Sequence, residues 1–411
     1  MPTTAILGAG IIGVSTAYYL SEHEDPSSIH LVEPSPKLFS SASGLAGGFL
    51  AKDWFSPAVA ALGELSFQQH QQLAESKDGR QKWGYSISTA VSYAAGAAPG
   101  GGAPEGRDGD KWRANMTSKT VDDRLEKVPP WFRSAAGDHA EAIGEEGTAA
   151  QVDPLQLSQF LLQECLNRGV HLHHPAAAIS VRTDARDELA SIRIGDTQSS
   201  TETDLPCTRV IIAAGPWSPQ VFKTLFRHSQ LEIPISSMAG HSLIVTSPNL
   251  TSKVENAGCH AVYMTTSNNG YSPGILSRVG GHIYIAGLNS TSIPLPEVAG
   301  QYKVHEEAIA RLEKTAAELL DAEVEGGERP DIVRKGLCFR PVTPSGEPII
   351  SRIPDRDLGI AVRTRPGADG GVYLAAGHGP WGISLSLGTG MVLAEMVQGR
   401  PVSADIGNLT L

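Results

Sequence analysis

The stretch that decides the fold lies at the start of the chain, Ala5-Ile6-Leu7-Gly8-Ala9-Gly10-Ile11-Ile12-Gly13. Its first three residues are apolar and predict a buried strand, and the pattern after the glycines predicts a helix that runs through Leu20. Ile29 to Val32 predicts a second buried strand, which Glu33 follows directly. Strand, glycine-rich turn, helix and strand in this order predict a βαβ unit.

The three glycines and the acid have the spacing of a dinucleotide site. Gly8 permits the tight turn, Gly10 lets the backbone approach a pyrophosphate, and Gly13 lets the helix pack on the strand. The helix N-terminus then presents free N–H groups to the phosphates. Glu33 follows Gly13 by about 20 residues, where a carboxylate binds a ribose hydroxyl. The alternative is a glycine-rich turn in an unrelated α/β fold, and the pattern alone does not choose between NAD and FAD.

Composition excludes several classes of protein. The 411 residues are 41% hydrophobic, enough for a sizeable core, and the net charge of −11 argues against nucleic acid or an anionic membrane as a bulk partner. Four cysteines without CxxC or Cys/His spacing predict neither a disulfide framework nor a metal site. The apolar N-terminus lacks a basic flank, so we interpret it as strand and helix rather than a targeting signal, and expect no membrane span and a cytoplasmic protein.

Four further motifs follow the βαβ unit in a fixed order. They are Ser43-Gly44-Leu45-Ala46-Gly47-Gly48, Ala213-Ala214-Gly215-Pro216-Trp217-Ser218, Arg340-Pro341-Val342-Thr343-Pro344-Ser345-Gly346 and Ala376-Gly377-His378-Gly379. This set resembles the FAD-dependent amino-acid oxidase (DAO) family, which includes glycine, sarcosine and D-amino-acid oxidases. The resemblance covers most of the chain outside Ala94 to Gln151. Ala42 to Lys52, followed by Leu65-Ser66-Phe67-Gln68, is most similar to a fungal subgroup of FAD-dependent oxidoreductases.

The resemblance implies an α/β fold with two parts. A Rossmann-like FAD-binding domain is expected to be discontinuous, over 1–85, 150–228 and 330–411. An inserted antiparallel-sheet substrate domain is expected over 86–149 and 229–329. Within it, the shift to Gly, Pro, Ala, Asp and Glu predicts a flexible insertion near 95–150.

The resemblance also implies which residues bind FAD. For the adenine dinucleotide they are Gly8, Gly10, Ile11, Ile12, Gly13 and Glu33, with the backbone of Val152 at the adenine. For the pyrophosphate and the flavin ring they are Ser43, Gly44, Ala46, Gly47, Gly48, Ala214 and Gly215. For the N1/C2=O edge of the flavin they are the amides of Gly377, His378, Gly379, Trp381, Gly382 and Ile383. Negative charge develops at that edge when hydride reaches N5, and a helix N-terminus stabilises it.

Two residues are candidates for catalysis. In glycine-oxidase and D-amino-acid-oxidase relatives an Arg at the position of Arg340 clamps the substrate carboxylate, and a guanidinium suits this because it offers two parallel donors. The alternative is a surface Arg or an ion pair with Glu347. His378 is expected either to add charge stabilisation at the flavin or to support the site through a bond to backbone.

Cys338 raises the question of a covalent flavin. In sarcosine-oxidase relatives a Cys at this position bonds the flavin 8α carbon, but those relatives lack the Arg that stands here at position 340. The alternatives are therefore a thioether to FAD and a buried structural thiol. Because alternate strand residues share a face, Cys338 and Arg340 should point the same way.

The resemblance implies an enzyme that oxidises the C–N bond of a small-molecule amino acid or secondary amine. Hydride would pass to flavin N5 and water would hydrolyse the imine. His282 to Gly287 lacks the Lys that activates oxygen in sarcosine-oxidase relatives, which puts oxygen in doubt as the acceptor.

Tyr271, Tyr284 and His241 either line the substrate side or belong to the core. The alternatives are an FAD dehydrogenase or reductase on another substrate, and a flavoprotein-derived regulatory protein with little turnover. The sequence leaves the oligomeric state open.

Overall fold

The computed structural model describes residues 2–96, 128–135, 137–199, 201–266, 270–320, 330–360 and 362–411. Most of the expected insertion near 95–150 lies outside these residues, at 97–127 and 136. The strands are β1 (Thr4–Leu7), β2 (Ile29–Val32), β3 (Phe49–Ala51), β4 (Ser86–Ala94), β5 (His139–Ala142), β6 (Ala149–Gln151), β7 (His171–His173), β8 (Ala176–Thr183), β9 (Leu189–Asp196), β10 (Glu202–Pro206), β11 (Arg209–Ile212), β12 (Ser236–Thr246), β13 (Cys259–Thr266), β14 (Gly274–Arg278), β15 (His282–Ser290), β16 (Ile332–Val342), β17 (Ile349–Ile353) and β18 (Gly371–Ala376). The helices are α1 (Ile11–Leu20), α2 (Ala42–Leu45), α3 (Pro57–Lys77), α4 (Gly79–Trp83), α5 (Pro154–Arg168), α6 (Ser218–Leu225), α7 (Ser252–Asn256), α8 (Glu306–Leu319) and α9 (Ser386–Val397).

The first sheet has the strand order β17-β18-β11-β1-β2-β7. β1 runs parallel to both β2 and β11, β11 runs parallel to β18, and only the edge strand β17 is antiparallel to its neighbour. This confirms the predicted βαβ unit and the α/β fold. Because the carboxyl ends of parallel strands meet at one edge, the turns after β1, β11 and β18 lie side by side with the residue after β2.

Local signals fix the helices that flank this sheet. α5 begins after Asp153, whose Oδ1 accepts a hydrogen bond from the Gln156 amide, and Pro154 occupies its first turn. It ends at Gly169, which has φ of 106°. These are the bounds that the sequence predicts. Every residue of α1 is buried, because the helix lies between the first sheet and the helices α5 and α9.

The second sheet follows the path β16-β12-β15-β14-β13-β4-β6-β3, with β5 paired to β4. Its pairs are antiparallel except β4 with β13, so the sheet is mixed rather than purely antiparallel. It also includes β3 and β16, which lie in segments that the sequence analysis assigned to the FAD-binding domain. β16 belongs here because it pairs along β12 from Ser236↔Val342 to Val245↔Ile332. β16 therefore carries Cys338 and Arg340 on the large sheet.

Apolar clusters hold these layers together. One packs α1, α5 and α9 on one face of the first sheet, and a second packs α6 and the small sheet β10-β9-β8 on the other. A third lies between the large sheet and α8. Among the described residues, no helix combines the length and apolar character needed to cross a bilayer.

Candidate active site

One cavity lies between the carboxyl edge of the first sheet and the large sheet. It is lined by most of the sequence-predicted residues, namely Gly8, Gly10, Ile11, Ile12, Glu33, Ser43, Ala46, Ala214, Gly215, Cys338, Arg340, His378, Gly379, Gly382 and Ile383. The remaining predicted residues do not line it: Gly13, Gly44, Gly47, Gly48, Val152, Gly377 and Trp381. The chain thus brings the turns after β1, β11 and β18 to one cavity with residues 338–341 of β16.

The turn after β1 is shaped for an anionic dinucleotide. Gly8 has φ of +107°, and a Cβ there would lie 2.6 Å from the Ala213 carbonyl oxygen, so only glycine fits. A Cβ on Gly13 would lie 1.9 Å from the Gly8 carbonyl oxygen, which explains its packing role. No side chain caps α1 at Gly10, and the first turn holds no acidic residue. Apart from the Ile11 amide, which donates to the Ser43 hydroxyl, the helix N-terminus is therefore open to a pyrophosphate, as FAD would require.

Ser43 connects the glycine-rich loop 43–48 to this helix. Its hydroxyl oxygen accepts a hydrogen bond from the Ile11 amide at 2.9 Å, and both residues line the cavity. Glu33 lies on the same wall, and its carboxylate accepts hydrogen bonds from the amides of Ala9 (2.9 Å) and Ser35 (3.0 Å). The carboxylate is thereby fixed beside the glycine turn, within the cavity that a ribose would enter.

Val152, which the resemblance places at the adenine, is not among the residues that line the cavity. Val152 is fully buried, and its amide donates to the Gly48 carbonyl at 2.9 Å. The cavity wall near Glu33 is formed by 176–178, the first residues of β8. These three alanines carry no motif, but the parallel pairing of β2 with β7 brings the chain after β7 to this position.

Two arginines from the large sheet hold loop 43–48 in place. Arg278 donates to the Ala46 carbonyl at 2.5 Å and to the Gly47 carbonyl at 2.8 Å, and Arg334 donates to the Gly44 carbonyl at 2.8 Å. Burial lowers the pKa of Arg278 to about 10, so it remains a cation at neutral pH. The sequence analysis missed both arginines, since their only signal is a charge within an apolar strand.

Close packing against other parts of the chain explains why three glycines of this loop do not line the cavity. A Cβ on Gly47 would lie 2.7 Å from Leu276 Cδ1, and one on Gly44 would lie 2.2 Å from the Phe39 carbonyl oxygen. A Cβ on Gly48, which has φ of +86°, would lie 2.1 Å from the Val152 carbonyl oxygen. The glycines therefore allow close packing on the side of the loop away from the cavity, while Ser43 and Ala46 line the cavity.

The turn after β18 presents backbone rather than a charged side chain. Gly377 and Gly379 have φ of +86° and +54°, and a Cβ on Gly379 would meet no atom within 4 Å. His378 is buried, and its Nε2 lies 3.1 Å from the Thr389 hydroxyl in α9. Burial lowers the pKa of His378 to about 4, so the ring is neutral. This geometry favours a supporting role for its side chain, through a hydroxyl rather than through backbone.

Trp381 lies behind this turn. Its ring packs edge-on against Phe55 at 5.1 Å and against Trp54 at 6.2 Å between centroids. The indole therefore belongs to an aromatic cluster next to the cavity wall.

Cys338 and Arg340 both line the cavity from one face of β16. None of the ion pairs among the described residues includes Arg340, and Glu347, its alternative partner, accepts a hydrogen bond from the Ser56 hydroxyl at 2.7 Å. Burial raises the pKa of the Cys338 thiol, although Arg340 partly opposes this. The cavity therefore contains a guanidinium without a carboxylate partner beside a protonated thiol.

The other aromatic candidates lie in the core. The Tyr271 hydroxyl lies 2.7 Å from that of Thr315, and the buried Tyr284 ring packs beneath Arg278 at 5.0 Å. His241 is buried, and its Nε2 accepts from the His305 amide at 3.2 Å. None of the three lines the cavity.

Comparison with known proteins defines the class. Residues 3–396 match the sequence model of the FAD dependent oxidoreductase (DAO) family, and the chain belongs to this family. It is 27% identical to Putative oxidoreductase C1F5.03c of Schizosaccharomyces pombe, covering 98% of this chain and 95% of that protein. It is 23% identical to D-amino acid dehydrogenase of Granulibacter bethesdensis, covering 99% and 98%. The family and the fungal relationship that the sequence predicts are confirmed.

Solved structures share the fold. Glycine oxidase from Geobacillus kaustophilus superposes with a TM-score of 0.73 at 20% identity, covering 100% of this chain and 98% of that one. Iminodiacetate oxidase from Chelativorans sp. BNC1 superposes with a TM-score of 0.71 at 18% identity, covering 99% and 98%. The protein is therefore an FAD-dependent oxidoreductase with the glycine-oxidase fold.

Proposed function

We propose that this oxidoreductase oxidises the C–N bond of an amino acid, or of a secondary amine that carries a carboxylate. The observation that carries the proposal is the Arg340 guanidinium, which lines the cavity without a carboxylate partner among the described residues. A half-buried cation in a largely apolar cavity suits an anionic ligand, and its two parallel donors match a carboxylate. The names of the glycine-oxidase and D-amino acid dehydrogenase relatives are consistent with that ligand class.

Different residues would bind the dinucleotide, the flavin ring and the substrate. The N-terminus of α1, Glu33 and Ser43 would hold the dinucleotide, and the backbone of the 377–383 turn would face the flavin ring. When bound, FAD supplies the acceptor for the hydride that leaves the substrate α-carbon. Arg340 would orient the substrate by its carboxylate, so that the α-carbon is held still for the transfer.

The proposed reaction needs no catalytic acid or base from the protein. A neutral amine loses hydride without a dedicated general base, and water then hydrolyses the product imine. His378, which burial keeps neutral and which bonds to Thr389, is not needed as an acid or a base. We therefore expect the reduction rate to rise with pH as the substrate ammonium loses its proton.

The electron acceptor forms a second part of the proposal. β15 contains no lysine from His282 to Ser290, so the strand lacks the cation that activates oxygen in sarcosine-oxidase relatives. This favours a dehydrogenase that passes electrons to an acceptor other than oxygen. Slow reoxidation of the reduced flavin by air, with fast reoxidation by a quinone, is the expected result.

A substrate panel tests the proposal. Glycine, sarcosine, both proline enantiomers and the common D- and L-amino acids are mixed anaerobically with the FAD-loaded protein while the flavin absorbance is recorded. At least one of these carboxylates should bleach the flavin, and the matching amines without a carboxylate should not. Bleaching by the amines alone would contradict the role of Arg340, and a protein that binds no FAD would support the regulatory alternative.

The link between Cys338 and the flavin is tested separately. Because burial keeps the thiol protonated and only the thiolate is a nucleophile, we propose that FAD is held without a covalent bond. Acid precipitation of the loaded protein should leave the yellow colour in the supernatant. A yellow pellet that turns white in Cys338→Ser would establish the thioether instead.

A further inference from the structure

Gly240 of β12 adjoins two residues that line the cavity, Cys338 and Arg340. It pairs with Cys338 of β16 on one side and with Asn289 of β15 on the other. A Cβ on Gly240 would lie 3.0 Å from Nη2 of Arg340 and 3.1 Å from Oδ1 of Asn289. Two polar side chains from opposite neighbouring strands therefore converge over the one position that has no side chain.

The two side chains offer complementary chemistry. The Arg340 guanidinium has only donors, whereas Oδ1 of Asn289 is an acceptor. Oδ1 is buried and has no hydrogen-bond partner within the described part of the chain. A buried acceptor without a donor is unfavourable, so its presence beside the carboxylate clamp points to a donor that arrives with the ligand.

An α-amino acid presents both groups at the required separation. Its carboxylate and its amine nitrogen are joined through a single carbon, so a carboxylate on Arg340 brings the nitrogen close to Gly240. In the neutral form that loses hydride, a primary amine has two N–H donors, a secondary amine has one, and a tertiary amine has none. Only the first two can satisfy Oδ1 of Asn289.

We propose that Asn289 is a specificity-determining residue, which accepts an N–H hydrogen bond from a substrate whose carboxylate is held by Arg340. This inference rests on the proposed function and refines it: the substrates are primary or secondary α-amino acids, and N,N-dialkyl amino acids are rejected. Glycine at position 240 belongs to the same site, because any side chain there would crowd both polar groups.

Two isosteric ligands that cannot be oxidised test the proposal without turnover. Pyrrole-2-carboxylate carries an N–H next to its carboxylate, and 2-furoate carries an acceptor oxygen in the same place. Isothermal titration of the FAD-loaded protein gives both dissociation constants. Wild type should bind pyrrole-2-carboxylate at least about tenfold more tightly, because a neutral hydrogen bond plus an unsatisfied acceptor supports that difference.

Variants assign the preference to a residue. Asn289→Ala should reduce the ratio of the two constants to within about threefold while its 2-furoate affinity changes little. Ser290→Ala, at an exposed hydroxyl that contacts Ser292, is the matched control and should keep the wild-type ratio. Arg340→Lys should weaken both ligands alike, because the bidentate contact is lost.

The outcomes separate the two proposals. Equal affinities in wild type, or an unchanged ratio in Asn289→Ala, would overturn the role of Asn289 while the clamp stands if Arg340→Lys weakens both ligands. Failure of wild type to bind either carboxylate, or unchanged binding in Arg340→Lys, would overturn the clamp and this inference with it. Equal affinities in wild type overturn the role of Asn289 even if Asn289→Ala does not fold.

Discussion

Replacing Arg278 should loosen the loop that faces the flavin and destabilise the whole protein. Its guanidinium is fully buried and makes charge-assisted hydrogen bonds to the carbonyls of Ala46 and Gly47. Bonds to a charged group contribute about 1.5–3 kcal/mol each, so two of them amount to roughly 3–6 kcal/mol. Arg278→Met also removes the cost of burying a cation, which offsets part of that sum, but it breaks the ion pair in which Asp153 Oδ2 lies 3.6 Å from Arg278 Nη1.

We therefore expect Arg278→Met to lower the free energy of unfolding by about 3 kcal/mol, measured by urea titration of tryptophan fluorescence. Ala46 lines the cavity, so the FAD dissociation constant should rise as well, by about tenfold if 1.4 kcal/mol of the loss falls on the bound form. Arg356→Met, at an 82% exposed side chain, is the control and should change neither quantity. If Arg278→Met unfolds with a free energy within 1 kcal/mol of wild type and binds FAD as tightly, Arg278 does not hold this loop in place.

Three further perturbations test separate parts of the site. Gly8→Ala should abolish FAD binding, since its Cβ would stand 2.6 Å from the Ala213 carbonyl oxygen at φ of +107°, and normal FAD content would contradict this. Glu33→Ala should raise the FAD dissociation constant at least about tenfold in fluorescence titration, because a charge-assisted bond to the ribose is lost; equal affinity would refute the ribose assignment. His70 is buried against the Ile383 carbonyl with its pKa lowered to about 4, so the folded form resists the proton that the unfolded chain takes up below pH 6.5. The contribution of His70 to the free energy of unfolding should therefore be fully present above pH 6.5 and should fall by up to roughly 3 kcal/mol towards pH 4. The urea midpoint of His70→Gln should fall less steeply over the same pH range.

The βαβ unit was predictable because its signals are local. The spacing of Gly8, Gly10 and Gly13, the apolar runs on either side, and Glu33 after the second strand all lie within one short segment. The bounds of α5 were predictable for the same reason, since its capping aspartate, first-turn proline and terminal glycine are adjacent to the helix.

The rest of the site depends on long-range pairing that no local pattern encodes. The clamp by Arg278 exists because the large sheet brings β14 onto loop 43–48, far away in sequence. The direction of the His378 ring is set by Thr389 on the following helix, and the burial of Val152 by its contact with Gly48. The convergence of Asn289 with Arg340 likewise requires two strand registers at once.

We propose above all that Arg340 anchors a substrate carboxylate at the flavin end of the cavity. The most direct measurement is the anaerobic rate of flavin reduction in a stopped-flow instrument, with the best amino acid of the panel and with its carboxamide. Wild type should reduce at least about a hundredfold faster with the amino acid at equal concentration, and Arg340→Lys should lose most of that preference while retaining its FAD. Equal rates with the amino acid and its amide in wild type would contradict the account.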